Sequence, residues 1–93
     1  MRIIGYIEHP SIKITVFNMD NKFSIKFETG MYEQTYKIRP MHSISGIEEI
    51  KKLVDAAFIE EVLQQFGVMN RINNAALERF LPVVDEDEFE EII

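Results

Sequence analysis

Residues 12–28 read IKITVFNMDNKFSIKFE, and this stretch decides the fold. Apolar and polar residues alternate on both sides of its centre, which is the period of a β-strand with one buried face. The centre, residues 18–21, is Asn-Met-Asp-Asn, a composition typical of a turn. The stretch therefore predicts two antiparallel strands joined by a tight turn.

The same alternation extends outward from this hairpin through residue 38. It breaks at turn-forming residues 9–11, 18–21 and 29–30, which leaves four strands near residues 2–8, 12–18, 22–28 and 31–38. The connections are too short for crossovers, so the four strands are predicted to form an antiparallel meander. Arg39-Pro40 ends the sheet, because proline cannot donate a hydrogen bond to a neighbouring strand.

Sorting the strand residues by parity gives one uncharged face and one charged face. The uncharged face collects Ile3, Gly5, Ile7, Ile12, Ile14, Val16, Phe23, Ile25, Phe27, Tyr32, Tyr36 and Ile38. The charged face collects Arg2, Lys13, Lys22, Lys26, Lys37 and Arg39 against Glu8, Glu28 and Glu33, six basic minus three acidic groups, or +3. It also carries Ile4, Tyr6, Phe17 and Met31. We expect the uncharged face to be covered by helix and the charged face to be open.

The helices follow residue 45. Ser45 and Glu48 have the spacing of a capping box, which predicts a helix start at Ser45. An apolar stripe from residue 47 to Phe58 covers the uncharged sheet face. Beyond Phe58 the stripe is displaced by about a third of a turn. We interpret this displacement as one straight helix with two packing faces. The alternative is a bend in the helix at residues 55–57. Gly67 is predicted to end this helix, and a third follows from about residue 70 to residue 81. The predicted fold class is α+β, with a four-stranded meander over residues 2–38, two to three C-terminal helices, and a single domain over residues 1–93.

An acidic segment closes the sequence. Residues 85–93 hold six carboxylates and no basic group, so they account for the whole formal charge of -6. Phe89, Ile92 and Ile93 lie at offsets of three and four within it, which places them on one side of a helix. We expect this amphipathic segment to dock through those three residues, either on the open sheet face or on a partner subunit.

Sequence signals for enzymatic chemistry are weak. The chain has no cysteine, its four glycines are scattered, and its histidines, His9 and His42, lie in connections without a second ligand at metal-binding spacing. The paired glutamates at 48–49 and 60–61 point about 100° apart on a helix and do not converge on one atom. We therefore predict no enzymatic activity, no cofactor and no metal. The absence of cysteine, of a signal peptide and of a long apolar run predicts a cytoplasmic protein without membrane contact.

The preferred functional prediction is a small soluble protein-interaction or regulatory domain that forms a homodimer or binds a stable protein partner. The predicted dimer stripe is the displaced helical stripe, namely Ile59, Val62, Leu63 and Phe66. The predicted interaction surface on the open sheet face comprises Tyr6, Lys13, Phe17, Lys26, Lys37 and Arg39.

Two alternatives stay open. Lysines interspersed with aromatic rings are the combination that single-stranded nucleic-acid binders use, with rings stacking on bases at roughly 1–3 kcal/mol each. The order of four strands and then a helix also resembles, in topology only, the single repeat of the PUR-alpha and Whirly folds, which implies nucleic-acid binding by the open face. The other alternative is a structural domain without a separate binding site.

Overall fold

The computed structural model describes residues 1–81. Its elements, in chain order, are β1 (Arg2–Ile7), β2 (Lys13–Met19), β3 (Lys22–Glu28), β4 (Glu33–Ile38), α1 (Ile47–Leu53) and α2 (Ala56–Phe80). The strands form one antiparallel sheet in the order β1-β2-β3-β4, so every strand pairs with its neighbour along the chain. The predicted α+β class and the four-stranded meander are confirmed. The acidic segment and its docking residues Phe89, Ile92 and Ile93 lie outside the described residues.

The central hairpin has the register that the alternation predicts. Met19 pairs with Lys22 across a two-residue turn, and the turn residues Asp20 and Asn21 have φ angles of 54° and 60°. These left-handed values match the twist of the flanking strands, and asparagine and aspartate tolerate them better than other side-chain-bearing residues do. The turn therefore fixes which residues of β2 and β3 share a face.

A bulge in β1 exchanges the predicted faces of Arg2, Ile3 and Ile4. Ile3 pairs with Phe17 and Gly5 with Val16, so Ile4 is the extra residue. As a result Ile3 shares the open face with Phe17 and is 50% exposed, whereas Ile4 packs against the core. Strict alternation predicts the opposite faces for both residues, because it has no place for an extra residue. The prediction of Arg2 on the charged face was wrong for the same reason, since Arg2 pairs with Asn18 of the uncharged face.

The first helix starts one residue later than predicted. Its N-cap is Gly46, without a side-chain hydrogen bond, and not Ser45. The Glu49 carboxylate reaches back instead, with Oε1 lying 3.3 Å from the Ser45 backbone nitrogen. The prediction of a serine N-cap was wrong, because the helix frame is set by the burial of Ile50 rather than by the strongest capping residue.

The second helix starts at a break in the helical region near residues 55–57, which was the less favoured of the two interpretations of the sequence. Asp55 is its N-cap and accepts a hydrogen bond from the Phe58 backbone nitrogen at 2.9 Å. From there α2 continues for 25 residues through Gly67 to Phe80. There are thus two helices within residues 1–81, and the predicted stop at Gly67 was wrong, because glycine inside a helix costs only about 1 kcal/mol relative to alanine.

The core lies between the uncharged sheet face and the two helices. Phe27, Ile25 and Val16 of the sheet and Ile50 of α1 have no exposed surface, and Val62 of α2 is 2% exposed. The break at Asp55 lets both helical stripes reach the same sheet. Helix α1 packs near β1, where Ile47 lies against Gly5, and α2 packs near β4.

Candidate interaction surfaces

The open sheet face gathers most of the residues predicted for it. Tyr6 and Lys26 both pair with Thr15, which shares a face with Lys13 and Phe17, and Lys37 pairs with Ser24 opposite Phe17. Tyr6 is 53% exposed and Phe17 is half-buried. Arg39 is exposed one residue beyond the end of β4. The structure therefore brings Tyr6, Lys13, Phe17, Lys26 and Lys37 onto one face and leaves Arg39 at its border.

Lys26 occupies the centre of this face and is held by several neighbours. Its Nζ lies 3.8 Å from a carboxylate oxygen of Glu28 and 3.7 Å from one of Glu33. The same ammonium sits 5.9 Å from the centroid of the Phe17 ring, a cation–π distance. These contacts partly cancel the positive charge that the sequence placed here, and they leave Lys13 and Lys37 as the exposed basic groups of the strands on this face.

The residues predicted as a dimer stripe lie mostly inside the chain's own fold. Val62 is 2% and Phe66 7% exposed in the core, and Ile59 packs against that core. Leu63 is 38% exposed. The stripe is covered because the break at Asp55 turns α2 so that these residues face the sheet.

A groove of about 700 Å³ runs between β4 and α2. Its lining residues are Gln34, Thr35, Tyr36, Phe58, Glu61, Val62, Gln65 and Met69. The Gln34 side chain connects the strand and the helix that line the groove. Its nitrogen donates a hydrogen bond to the Val62 carbonyl at 2.9 Å, and its oxygen accepts one from the Tyr36 hydroxyl. The groove is therefore built into the fold, with a fixed strand wall and a fixed helix wall.

Two aromatic rings, Tyr36 and Phe58, line this groove, and the buried ring of Phe27 packs against both. Tyr36 meets Phe27 and Phe58 edge-on, at centroid distances of 5.7 and 5.3 Å, and Phe27 stacks on Phe58 at 5.5 Å. Phe27 is fully buried, whereas Tyr36 is 37% exposed. The exposed part of Tyr36 provides an aromatic surface that an apolar side chain entering the groove can contact.

The last three turns of α2 extend beyond the sheet. The sheet-side anchors end at Asn70 and Asn73, whose side chains hydrogen-bond with the Tyr32 hydroxyl at 3.2 Å in each case. From Ile72 onward large apolar side chains are exposed: Ile72 is 56%, Leu77 48%, Phe80 82% and Leu81 38% exposed. We call residues 71–81 the overhang. Leu77 and Phe80 continue the side of α2 that packs on the sheet. Ile72 and Arg79 lie on the neighbouring flank, and Arg71 and Glu78 lie on the opposite side.

The two histidines have ordinary surroundings. The His9 ring nitrogen Nδ1 accepts a hydrogen bond from the Ser11 backbone nitrogen at 3.1 Å, which stabilises the turn between β1 and β2. His42 is exposed in the connection before α1. Within residues 1–81 no three histidine or acidic side chains are grouped closely enough to hold a metal ion.

Comparison with protein-family models, with curated proteins and with solved structures gave no match. In the part of the chain that the structure describes, no helix combines the length and the apolar content needed to cross a bilayer.

The overhang and the groove were not singled out as sites by sequence reasoning. Ile72, Leu77 and Phe80 were recognised as helical but assigned to a separate third helix. The signal that could have identified the overhang is the scarcity of strong helix breakers between Asp55 and Pro82, where Gly67 is the single glycine and no proline occurs. An unbroken helix of about 37 Å is longer than any of the strands, which span about 23 Å at most, so part of it had to extend past the sheet.

Proposed function

We propose that this chain is a small, non-enzymatic protein-interaction domain that acts as a homodimer through the exposed side of α2. The observation that carries the proposal is the 82% exposure of Phe80, which lies with the exposed Leu77 on one side of the overhang, while the exposed Ile72 lies on the neighbouring flank. Exposed apolar side chains scattered singly are ordinary, but a group of them on one end of a regular helix is typical of an interface.

The expected energetic gain supports this assignment. Burying one large apolar side chain stabilises an association by about 1.5–3 kcal/mol relative to leaving it in water. The overhang offers four such residues per copy, and a symmetric dimer buries each of them twice. The groove beside β4 supplies a concave apolar surface at the same helix, so the interface has both a protruding and a receiving part.

Measuring the mass in solution tests the proposal. Sedimentation equilibrium between about 1 μM and 1 mM, the Kd range of weak to moderate dimers, should give twice the chain mass of 10.9 kDa. Phe80→Ser should shift the equilibrium toward monomer. Glu78→Ser, on the opposite side of the same helix, is the matched control and should leave it unchanged. A wild-type chain that stays monomeric at 1 mM would reject a homodimer.

A second candidate function, single-stranded nucleic-acid binding, is favoured by the exposed Tyr6 beside the exposed Lys13 and Lys37. The ion pairs of Lys26 with Glu28 and Glu33 weaken it, because those carboxylates repel phosphates. Fluorescence anisotropy with labelled oligothymidine decides the matter. Binding that falls with salt and is lost in Tyr6→Ala supports this candidate, whereas unchanged anisotropy at about 100 μM protein excludes it.

A further inference from the structure

A second stripe on α2 lies beside the one that packs on the sheet. Its members are Glu61, Gln65, Val68, Ile72, Ala75 and Arg79. Their spacing alternates between four and three residues, the spacing that keeps side chains on a line facing a partner helix. Glu61, Gln65 and Arg79 are exposed, Ile72 is 56% exposed, and Val68 and Ala75 are half-buried. We call this set the lateral stripe.

Resting on the proposed homodimer, we propose that two copies pair through the lateral stripes of α2, antiparallel, with the twofold axis near Asn70. In this register Glu61 lies opposite Arg79 of the second copy, and Val68 lies opposite Ile72 of the second copy. Each of these pairs occurs twice because a twofold interface is isologous. The pairing also has the pattern of antiparallel coiled coils, in which residues at heptad position a of one helix face residues at position d of the other.

Charge complementarity selects this orientation. The stripe is acidic at its start and basic at its end, with Val68 and Ile72 between them. Antiparallel pairing puts opposite charges together at both ends and apolar side chains in the middle. Parallel pairing in register would put Glu61 against Glu61 and Arg79 against Arg79, two like-charge contacts at the border of an interface. The small Ala75 faces the longer Gln65 in the antiparallel arrangement, so large and small side chains alternate.

The groove beside β4 receives the protruding end of the second copy. A twofold axis perpendicular to the helix pair keeps both sheets on the same side of that pair. Phe80 follows Arg79 and projects toward the sheet side of α2, so Phe80 of the second copy reaches the groove next to Glu61. There the exposed part of Tyr36 offers an aromatic contact. In this arrangement Phe80, the most exposed apolar side chain of the two helices, is buried in the groove of the other copy.

Charge exchange between Glu61 and Arg79 tests the register. Glu61→Arg alone and Arg79→Glu alone should each weaken the dimer by about 10-fold, because each turns two attractions into repulsions. The double exchange should restore the wild-type Kd. Ile72→Glu should give monomer, and Glu78→Arg, on the opposite side of the helix, is the control that should change nothing. Circular dichroism checks that each variant keeps its helices.

Cysteine cross-linking tests the orientation, and the chain has no native cysteine to interfere. Gln65→Cys together with Ala75→Cys should cross-link under mild oxidation, because the two positions face each other across the axis. Ala75→Cys alone should not, since antiparallel pairing separates the two copies of residue 75 by about 15 Å along the helix, far beyond disulfide reach.

The outcomes separate the inference from the proposed homodimer. A dimer whose double charge exchange stays weak, or one that cross-links through Ala75→Cys alone, overturns the antiparallel register and leaves a homodimer standing. A wild-type monomer rejects both. A monomer that dimerises only after removal of residues 82–93 shows that the chain's own acidic segment occupies the stripe, and this result also overturns the inference.

Discussion

Replacing Asp55 by alanine is the most direct test of how the helical layer is organised. The Asp55 carboxylate accepts a hydrogen bond from the Phe58 backbone nitrogen at 2.9 Å, at the point where the chain turns from α1 into α2. Loss of an N-cap costs about 1 kcal/mol, and loss of a negative charge at a helix N-terminus adds about 0.3–1 kcal/mol. We therefore expect Asp55→Ala to destabilise the fold by about 1–2 kcal/mol. For a domain of this size each kcal/mol corresponds to about 4–8 °C in Tm.

Two further variants make this experiment specific. Asp55→Asn keeps the cap but not the charge, so it should lose only the electrostatic part. Ser45→Ala removes the residue that sequence reasoning favoured as a cap and should cost less than about 0.5 kcal/mol, because Ser45 is exposed and precedes the N-cap Gly46. Urea unfolding followed by circular dichroism gives all three values. If Ser45→Ala costs as much as Asp55→Ala, the assignment of the helix boundary at Asp55 is wrong.

Substitutions at three positions of the sheet test its packing and its contacts. Phe27→Ala should cost roughly 3–5 kcal/mol, since the ring is fully buried among two other rings, and a loss below 2 kcal/mol in urea unfolding would contradict that packing. Asn21→Val should cost about 1–2 kcal/mol while Asn21→Gly is neutral or stabilising in thermal unfolding, because residue 21 has a φ of 60°. Gly5→Ala should cost about 1–3 kcal/mol, because the new Cβ would lie 3.1 Å from two Ile47 side-chain carbons. Ile47→Val should reduce that cost in a double-mutant cycle, and strict additivity would speak against the contact.

The sheet was predictable because its signals are local. Alternation of period two, together with turn residues at 18–21, determines both the faces and the register of β2 and β3. The bulge at Ile4 was not predictable in this way, since it breaks the alternation without a glycine or proline at the extra position. The helix boundaries were harder to predict, because Ser45, Asp55 and Gly67 are all residues that commonly start or end a helix. Only packing against the sheet decides which of them does so.

The open face could be assembled from the sequence, but its electrostatics could not. Parity alone placed Tyr6, Phe17 and Lys26 together, whereas the pairing of Lys26 with two glutamates depends on how β3 and β4 are aligned. The groove was inaccessible to sequence reasoning, because its walls come from residues about 28 positions apart that meet only after α2 packs. The open face of the sheet was thus predicted, whereas the groove between a strand and a helix was not.

Because each strand pairs only with its chain neighbour, the sheet needs no residue beyond Ile38 to complete its ladders. Its uncharged face, however, is covered by α1 and by α2, whose last buried core residue is Phe66. During synthesis at about 5–20 residues per second, residues 39–66 take about 1–6 s to be added. Over that interval the growing chain carries a finished sheet with a bare apolar side, which is a condition for aggregation or for capture by a chaperone. A chain cut at residue 46 should reproduce this state and bind a dye such as ANS, unlike the complete protein.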